Sequence, residues 1–326
     1  MRPPPSILLG TTTVLLTLLG WSSVPLFLRH FAESIDAWTS NGWRYGFSAL
    51  LWLPLVVVGL ARGWLPKGIF RAAIVPSVIN AAGQVCFTWA HYQIDPGLLT
   101  FGLRTQLIFV AAGAWLLFPA ERPIVTARSY LLGGTLLLGG TVGILLLGRE
   151  PTTGTVPTGY VFGVVLAILS GLLFAAYGLA VRWYMHGVRP IYAFATICQY
   201  TGAAMIVLML VFGDCGGATA LDLPTDQFFY LLLSAVIGIA VGHVFYYISI
   251  ASLGVAVTAG ILQLQPFLVA MASLALFGER LSVGQWIGGC VAVAGAMLML
   301  GTQRRMSRRE RIPEDALGPA EGESGA

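Results

Sequence analysis

Ten apolar stretches, each long enough to cross a lipid bilayer, occupy almost the whole of this 326-residue chain. A helix needs about 20 predominantly apolar residues to cross a hydrocarbon core about 30 Å thick. Runs such as 161–180 and 283–300 reach that length with almost no charge. The sequence therefore predicts an all-α integral membrane protein, whose function works within or across a membrane.

The composition supports the same class, because only 10% of the residues are charged and 57% are hydrophobic. A soluble domain carries about 25% charged residues. The linkers between the stretches are short, and none is long enough to hold a soluble domain. The first stretch is too long for the core of a signal peptide, so it is expected to span. The predicted spans lie near residues 7–28, 37–60, 72–92, 97–118, 129–147, 158–181, 190–213, 226–249, 254–277 and 283–301.

The basic residues of the linkers predict the orientation of the chain, since cytoplasmic loops are enriched in Lys and Arg. Ten spans place both termini on one side of the membrane. That side collects 13 Lys and Arg residues, and the opposite side has three, namely Arg29, Arg149 and Arg280. Both termini are therefore expected in the cytoplasm.

An internal repeat relates the two halves at a shift of 159 residues. Segment 83–118 aligns without a gap with segment 242–277, and an acid–base pair, Glu121-Arg122 or Glu279-Arg280, soon follows each. Each copy holds five spans, and an odd number inverts the second copy relative to the first, as in many secondary transporters. The predicted units are a first repeat over 1–148, a second over 149–303, and a polar, disordered cytoplasmic tail over 304–326.

These features resemble the drug/metabolite transporter superfamily, in its ten-helix branch of paired EamA domains. The resemblance rests on the five-plus-five layout, on Arg44 early in the second span, and on the helix that runs from Gln265-Pro266 to Glu279-Arg280, with its counterpart from Gln106 to Arg122. It covers residues 7–301. It implies a transporter without enzymatic activity, in a bacterial-type inner membrane. Many family members have Glu-Pro where this chain has Gln265-Pro266, so a mechanism that needs a carboxylate there is not expected.

Two arginines inside the spans are candidates for function, because charged groups within lipid are costly. Arg44 and Arg104 each lie about seven residues, or roughly 10 Å, from the outer end of a span. All 14 acidic residues fall in linkers, at span ends or in the tail. Either the two guanidinium groups bind a carboxylate or phosphate of a substrate, or they extend outward to Glu33, Asp36 or Asp95.

Amide side chains are the next candidates. Arg104 is repeat-equivalent to Gln263, and Gln106 to Gln265, so the inverted copies are expected to place all four around one central cavity. The alternative is that the amides only join helices by hydrogen bonds. Gln84, which is repeat-equivalent to His243, is a further candidate for substrate binding.

Histidines and aromatic residues complete the predicted site. His243, a further substrate-binding candidate, and His91 are the in-span groups that titrate near neutral pH, so they are candidates for proton coupling; the alternative is a neutral, hydrogen-bonded imidazole. Trp21 and Phe174, which are roughly repeat-equivalent, are candidates for an apolar cavity wall. Pro266 is predicted to form a gating kink, since proline removes a backbone donor.

The remaining features predict partners. The glycine-rich run 139–143 favours close helix packing, and the resemblance implies that the fifth and tenth helices pack together, where a homodimer contact is one hypothesis. The basic start of the tail suits anionic lipid, and nucleic-acid binding is not expected. The four cysteines have no metal-binding spacing, and no metal or cofactor is predicted.

The leading functional hypothesis is a secondary transporter that exports or exchanges a small organic solute by alternating access. Two in-span arginines without buried acids favour an amino acid or another carboxylate-bearing metabolite. The sequence has no ATP-binding motif, so a gradient is expected to supply the energy. The alternatives are a carrier of lipid-linked substrates, a non-transporting partner subunit, and, least favoured, an integral membrane transferase.

Overall fold

The computed structural model describes residues 7–119, 122–147, 159–253, 258 and 261–315. All regular secondary structure in these residues is helical. A 3₁₀ segment, Asp214–Asp222, follows α9, and a π-helical segment, Val236–Val241, joins α10 to α11. The helices are α1 (Ile7–Phe31), α2 (Ala37–Ala61), α3 (Ile69–His91), α4 (Pro96–Leu103), α5 (Gln106–Leu117), α6 (Arg122–Val125), α7 (Arg128–Leu147), α8 (Tyr160–Tyr184), α9 (Pro190–Phe212), α10 (Thr225–Ala235), α11 (Gly242–Leu253), α12 (Gln265–Phe277) and α13 (Val283–Asp315).

Eight of the predicted spans are confirmed as helical segments long and apolar enough to cross a membrane. The predicted fifth span is the 20-residue helix α7. The predicted ninth span lies partly outside the described residues and contains α12, which has 13 residues. The eight segments are Leu8–Phe31, Ala37–Ala61, Ile69–His91, Pro96–Leu117, Tyr160–Tyr184, Pro190–Phe212, Thr225–Ser249 and Val283–Gln303.

The helices pair in a pattern that relates the two halves of the chain. Three pairs join counterparts of the two repeats, namely α2 with α9, α4 with α12, and α7 with α13. Two further pairs are equivalent to each other, because α8 is the counterpart of α1 and α3 is the counterpart of α11. In these pairs α1 packs against α11, and α8 packs against α3. This is the pairing expected of an approximate two-fold axis between two five-span repeats.

Glycines bring α7 and α13 into backbone contact, which confirms the predicted packing of the fifth and tenth helices. A methyl group at Gly140 would collide with the backbone of Ala292 and Gly288, and one at Gly288 would lie 2.8 Å from the carbonyl oxygen of Gly140. By contrast, a methyl group at Gly134 would meet no described atom within 4 Å. Small residues allow the two backbones to approach this closely. In lipid no hydrophobic effect drives helices together, so the dispersion attraction of close packing stabilises the contact.

The C-terminal helix is longer than the sequence suggests. α13 continues through the basic residues that follow the last span and ends at Asp315. The first twelve residues of the tail that was expected to be disordered, 304–315, are therefore helical, and the rest of that tail lies outside the described residues.

Candidate substrate-binding site

Two helix interruptions lie at equivalent positions of the repeats. One separates α4 from α5 at Arg104 and Thr105, and the other precedes α12 at Gln263 and Leu264. The amide of Thr105 donates to the carbonyl of Gly102 at 3.1 Å, and the equivalent bond from Leu264 to Ile261 is also 3.1 Å. Such three-residue turns free backbone groups of the regular helix, and within a membrane these are tolerated where they are buried in protein or line a cavity.

Arg104 crosses from the first interruption to the second. Its Nη2 donates to Oε1 of Gln265 at 2.8 Å, its Nη1 to the carbonyl of Leu262 at 3.3 Å, and its Nε to the carbonyl of Thr100 at 3.2 Å. Nε2 of Gln265 in turn donates to the carbonyl of Trp21 at 2.9 Å. These bonds join α1, α4 and α12 around one arginine.

The structure brings some of the predicted central residues together. Arg104 and Gln265 bond directly, and Gln263 is buried in the second interruption with 3% of its surface exposed. Gln106 begins α5 on the side of α8, where a methyl group at Gly171 would lie 3.4 Å from its backbone nitrogen. Pro266 lies in the first turn of α12, so the helix is interrupted before the proline rather than kinked at it. The missing amide costs little there.

Trp21 and His243 form an aromatic cluster beside Gln265. The two rings lie edge to face at 5.4 Å, the imidazole stacks on Phe194 at 4.8 Å, and Tyr246 contacts Trp21 at 5.0 Å. Nδ1 of His243 lies 3.0 Å from the carbonyl oxygen of Ile239, so in the neutral ring Nδ1 carries the proton. The cluster forms one wall next to the bond between Gln265 and the backbone of Trp21.

Trp21 and Phe174 occupy equivalent places in the two repeats but not one common wall. A methyl group at Gly242 would lie 2.7 Å from Nε1 of Trp21, and one at Gly83 would lie 2.9 Å from Cε1 of Phe174. Gly83 and Gly242 are separated by the repeat shift of 159. Phe174 therefore belongs to the contact of α3 with α8, where it also meets Phe87 at 5.8 Å.

Gln84, Arg44 and His91 lie in a separate polar layer between α2, α3 and α10. Nε of Arg44 donates to Oγ of Ser234 at 2.9 Å, and only 2% of the arginine is exposed. Nδ1 of His91 lies 2.8 Å from the carbonyl oxygen of Phe87, and its Nε2 is buried without a described partner. The backbone carbonyl of Gln84 accepts from Asn41 at 3.3 Å. Among the described residues neither Arg44 nor Arg104 pairs with a carboxylate.

Sequence reasoning missed the π-helical segment Val236–Val241, which contacts Trp21 of the aromatic cluster. Two carbonyls of the segment, and that of the preceding Ala235, accept from side chains of α1 and α2. Trp21 donates to Gly238 at 3.2 Å, Ser48 to Ala235 at 3.3 Å, and Trp52 to Ala240 at 3.2 Å. No proline marks the segment, and the equivalent residues of α3 are ordinary α-helix. π-Helical turns are frequent at functional sites.

An ion pair joins the ends of α1 and α12, and it too was not predicted. Nε of Arg29 lies 2.8 Å from Oε1 of Glu279, whose Oε2 accepts a hydrogen bond from Ser273. Burial and the negative charge of Glu279 raise the pKa of Asp95 at the start of α4, and the charge of Arg29 opposes them. The only sequence signal was the acid–base pair that follows each repeat segment.

The comparisons with known proteins give the class of this chain. The sequence pattern of the EamA-like transporter family matches residues 8–146 and again residues 161–301. The two matches cover most of the chain and coincide with the two repeats, so the chain belongs to the EamA-like transporter family.

A solved structure titled "Crystal structure of protein" shares the fold. It superposes with a TM-score of 0.58 at 16% sequence identity, over 93% of this chain and 98% of its own. At that identity the likeness shows the fold alone. A search of the curated proteins found no match.

Proposed function

We propose that this protein is a secondary transporter that exports or exchanges a small organic solute with an anionic group, such as an amino acid or another carboxylate metabolite. Arg104 is the observation that carries the proposal. A guanidinium has five N–H donors, and the three acceptors of Arg104 among the described residues are uncharged oxygens. An anion that reached the site would meet a half-buried cation with donors to spare.

Transport is proposed to proceed by alternating access between two inverted repeats, with ten spans, both termini in the cytoplasm and the chain in a bacterial-type inner membrane. The two-fold pairing of helices supports this arrangement. The hydrogen bond between Arg104 and Gln265 joins the two repeats at their interruptions. Rocking one repeat against the other would therefore break this bond and form it again.

The two ends of the bundle differ in a way that supports alternating access. Where α1 and α12 end, on the proposed outer side, Arg29 and Glu279 close the contact between the repeats. At the other end a cavity of about 260 Å³ opens between α8, α9 and Tyr247. The described conformation therefore fits a state closed outward and open inward.

Uptake of labelled solutes into proteoliposomes tests the proposal. A panel of amino acids, organic acids and sugars would be compared for the wild type, Gln265→Ala and Gln199→Ala. Gln199 is a matched control, because its amide donates to the backbone of Ala49 at 3.0 Å, away from Arg104. Gln265→Ala should lower uptake of an anionic solute about tenfold, since it removes the acceptor that orients Arg104, and Gln199→Ala should not. If no anionic solute is transported, the proposal is wrong.

A further inference from the structure

The cavity at the open end combines polar side chains at its mouth with apolar walls. It holds about 260 Å³, the space of roughly nine water molecules. Arg182 and His186 line it where α8 ends, and Tyr247 of α11 lines it on the side towards the central site. Between them the walls are apolar, formed by Val181, Met185, Val188, Pro190 and Ala193.

The guanidinium of Arg182 and the imidazole of His186 lie where an incoming solute would meet them first. Arg182 and His186 are both exposed, whereas Met185 and Ala193 are buried. The guanidinium carbon of Arg182 lies 3.9 Å from the centre of the Phe118 ring, which restricts the arginine by a cation–π contact. A guanidinium held in this way binds a carboxylate with less loss of side-chain entropy than a freely moving one.

The inner end of the cavity leads to the central site through aromatic contacts. The rings of Tyr247 and Tyr246 lie 5.9 Å apart, and Tyr246 lies 5.0 Å from Trp21. The carbonyl of Trp21 accepts from Gln265, which bonds Arg104. A short series of side chains therefore separates the cavity from the proposed central site.

We infer that this cavity is a separate binding site for small anions with an apolar body, occupied from the inner side before the solute reaches Arg104. Arg182 and His186 bind the anionic group, and the walls around Met185 and Ala193 bind the apolar part. The inference rests on the proposed function for the direction of passage. It adds to the proposed function a preference for anions that carry an apolar body. Acids without such a body, and neutral molecules, would bind weakly.

Protection of an introduced cysteine tests the site directly. Ala193→Cys would be made in a full-length chain whose four native cysteines are replaced by alanine, and labelled with the small neutral reagent methyl methanethiosulfonate in phosphatidylcholine vesicles. Hexanoate should slow labelling about fivefold, since a charge-assisted bond and apolar contact act together. Hexanamide, which lacks the charge, and acetate, which lacks the body, should slow it less than about twofold.

Two variants identify the cation. Arg182→Gln should abolish the protection by hexanoate. Arg189→Gln should leave it unchanged, because Arg189 directly precedes α9 at the same end of the bundle but does not line the cavity. Equal protection in both variants, or no protection in either, would overturn the inference. If the cysteine-free chain does not fold, binding of tritiated hexanoate to native-cysteine Arg182→Gln and Arg189→Gln proteins in nanodiscs gives the same comparison.

Two further measurements distinguish this cavity from the central site and a bound solute from a bound lipid. Arg104→Gln should retain protection by hexanoate although it loses transport, so normal transport by Arg104→Gln would refute the proposed function and leave the cavity result standing. Vesicles that contain phosphatidylglycerol test whether an anionic lipid, rather than a solute, occupies the cavity. If that lipid protects the cysteine without hexanoate, and hexanoate adds nothing, the occupant is a lipid and the solute assignment is wrong.

Discussion

Two of the three contacts between counterpart helices of the repeats have opposite character. Between α7 and α13, glycines such as Gly140 and Gly288 bring the backbones together and exclude side chains. Between α4 and α12, Gly97 lies close to Ala270, but the helices are interrupted and Arg104 bonds Gln265. The first contact leaves no room for a guest molecule, whereas the second is made of polar bonds that a ligand can replace. The first contact is therefore suited to stabilise the fold, and the second is the one on which the proposed transport depends.

The largest expected effect tests the stabilising contact. Gly140→Val should prevent accumulation of folded protein in the membrane, because the added side chain would collide with the backbone of Ala292 and Gly288. Gly134→Val is the control on the same helix, since that position is open. Size-exclusion profiles and thermal unfolding in detergent would measure both. If Gly140→Val folded as well as Gly134→Val, the contact would not be the rigid one.

The next effect tests the proposed closure of the bundle at the end where α1 and α12 meet. Glu279→Gln removes the partner of Arg29 and should increase the population that is open there by about fivefold, the effect of roughly 1 kcal/mol. Glu33→Gln is the control, because Glu33 lies 3.6 Å from the same arginine with a side chain 79% exposed.

Spin labels on the ends of α1 and α12 would report this opening as a longer distance in Glu279→Gln. Identical distance distributions for Glu279→Gln and the wild type would show that the ion pair does not hold the two repeats closed.

The smallest expected effect concerns the N-terminal cap of α2, which lies outside both contacts. It gives the change in the free energy of unfolding that a purely local substitution causes. Asp36 caps α2 by accepting from the amides of Trp38 and Thr39. Burial raises the pKa of Asp36, but bonds led by that from the Thr39 hydroxyl outweigh it and hold the pKa below its usual value. Asn keeps one oxygen that can accept from these amides but lacks the charge and the second oxygen, which accepts from the Thr39 hydroxyl. Asp36→Asn should therefore cost about 0.5 kcal/mol near neutral pH, measured by thermal unfolding.

The pH dependence of this cap has a definite sign. Because the folded-state pKa of Asp36 is lowered, its stabilisation is present above the unfolded pKa, near 4, and is lost as pH falls through the folded value. The gap between wild type and Asp36→Asn should close on acidification. Asp95→Asn is the control, since Asp95 precedes α4 without a side-chain capping bond and its pKa is raised. A gap independent of pH would contradict the capping role of Asp36.

The sequence predicted the central contact but not the whole site, and the pairing of helices explains why. Equivalent positions face each other across a two-fold axis only on helices that pair with their own counterparts, as α4 does with α12. Arg104 therefore meets Gln265. Gln84 and His243 are equivalent too, but α3 pairs with α8 and α11 with α1, so the two lie in different contacts.

Other parts of the site left little trace in the sequence. The π-helical segment depends on donors from Trp21, Ser48 and Trp52, which lie about 190 residues or more away along the chain. Arg44 was placed correctly within a span, but its partner Ser234 is an uncharged residue of a distant helix. Charge and periodicity reveal which residues are buried, whereas the partner of each depends on the packing of the helices.

The charge of Arg104 is the central claim, and transport of paired solutes tests it most directly. Initial uptake of the best carboxylate from the solute panel, and of its neutral amide, would be measured for the wild type, Arg104→Lys and Arg104→Gln in proteoliposomes. We predict that Arg104→Gln loses carboxylate uptake about 10- to 100-fold, that Arg104→Lys retains part of it, and that the wild type prefers the carboxylate. Equal uptake by the wild type and a correctly folded Arg104→Gln protein would contradict the account.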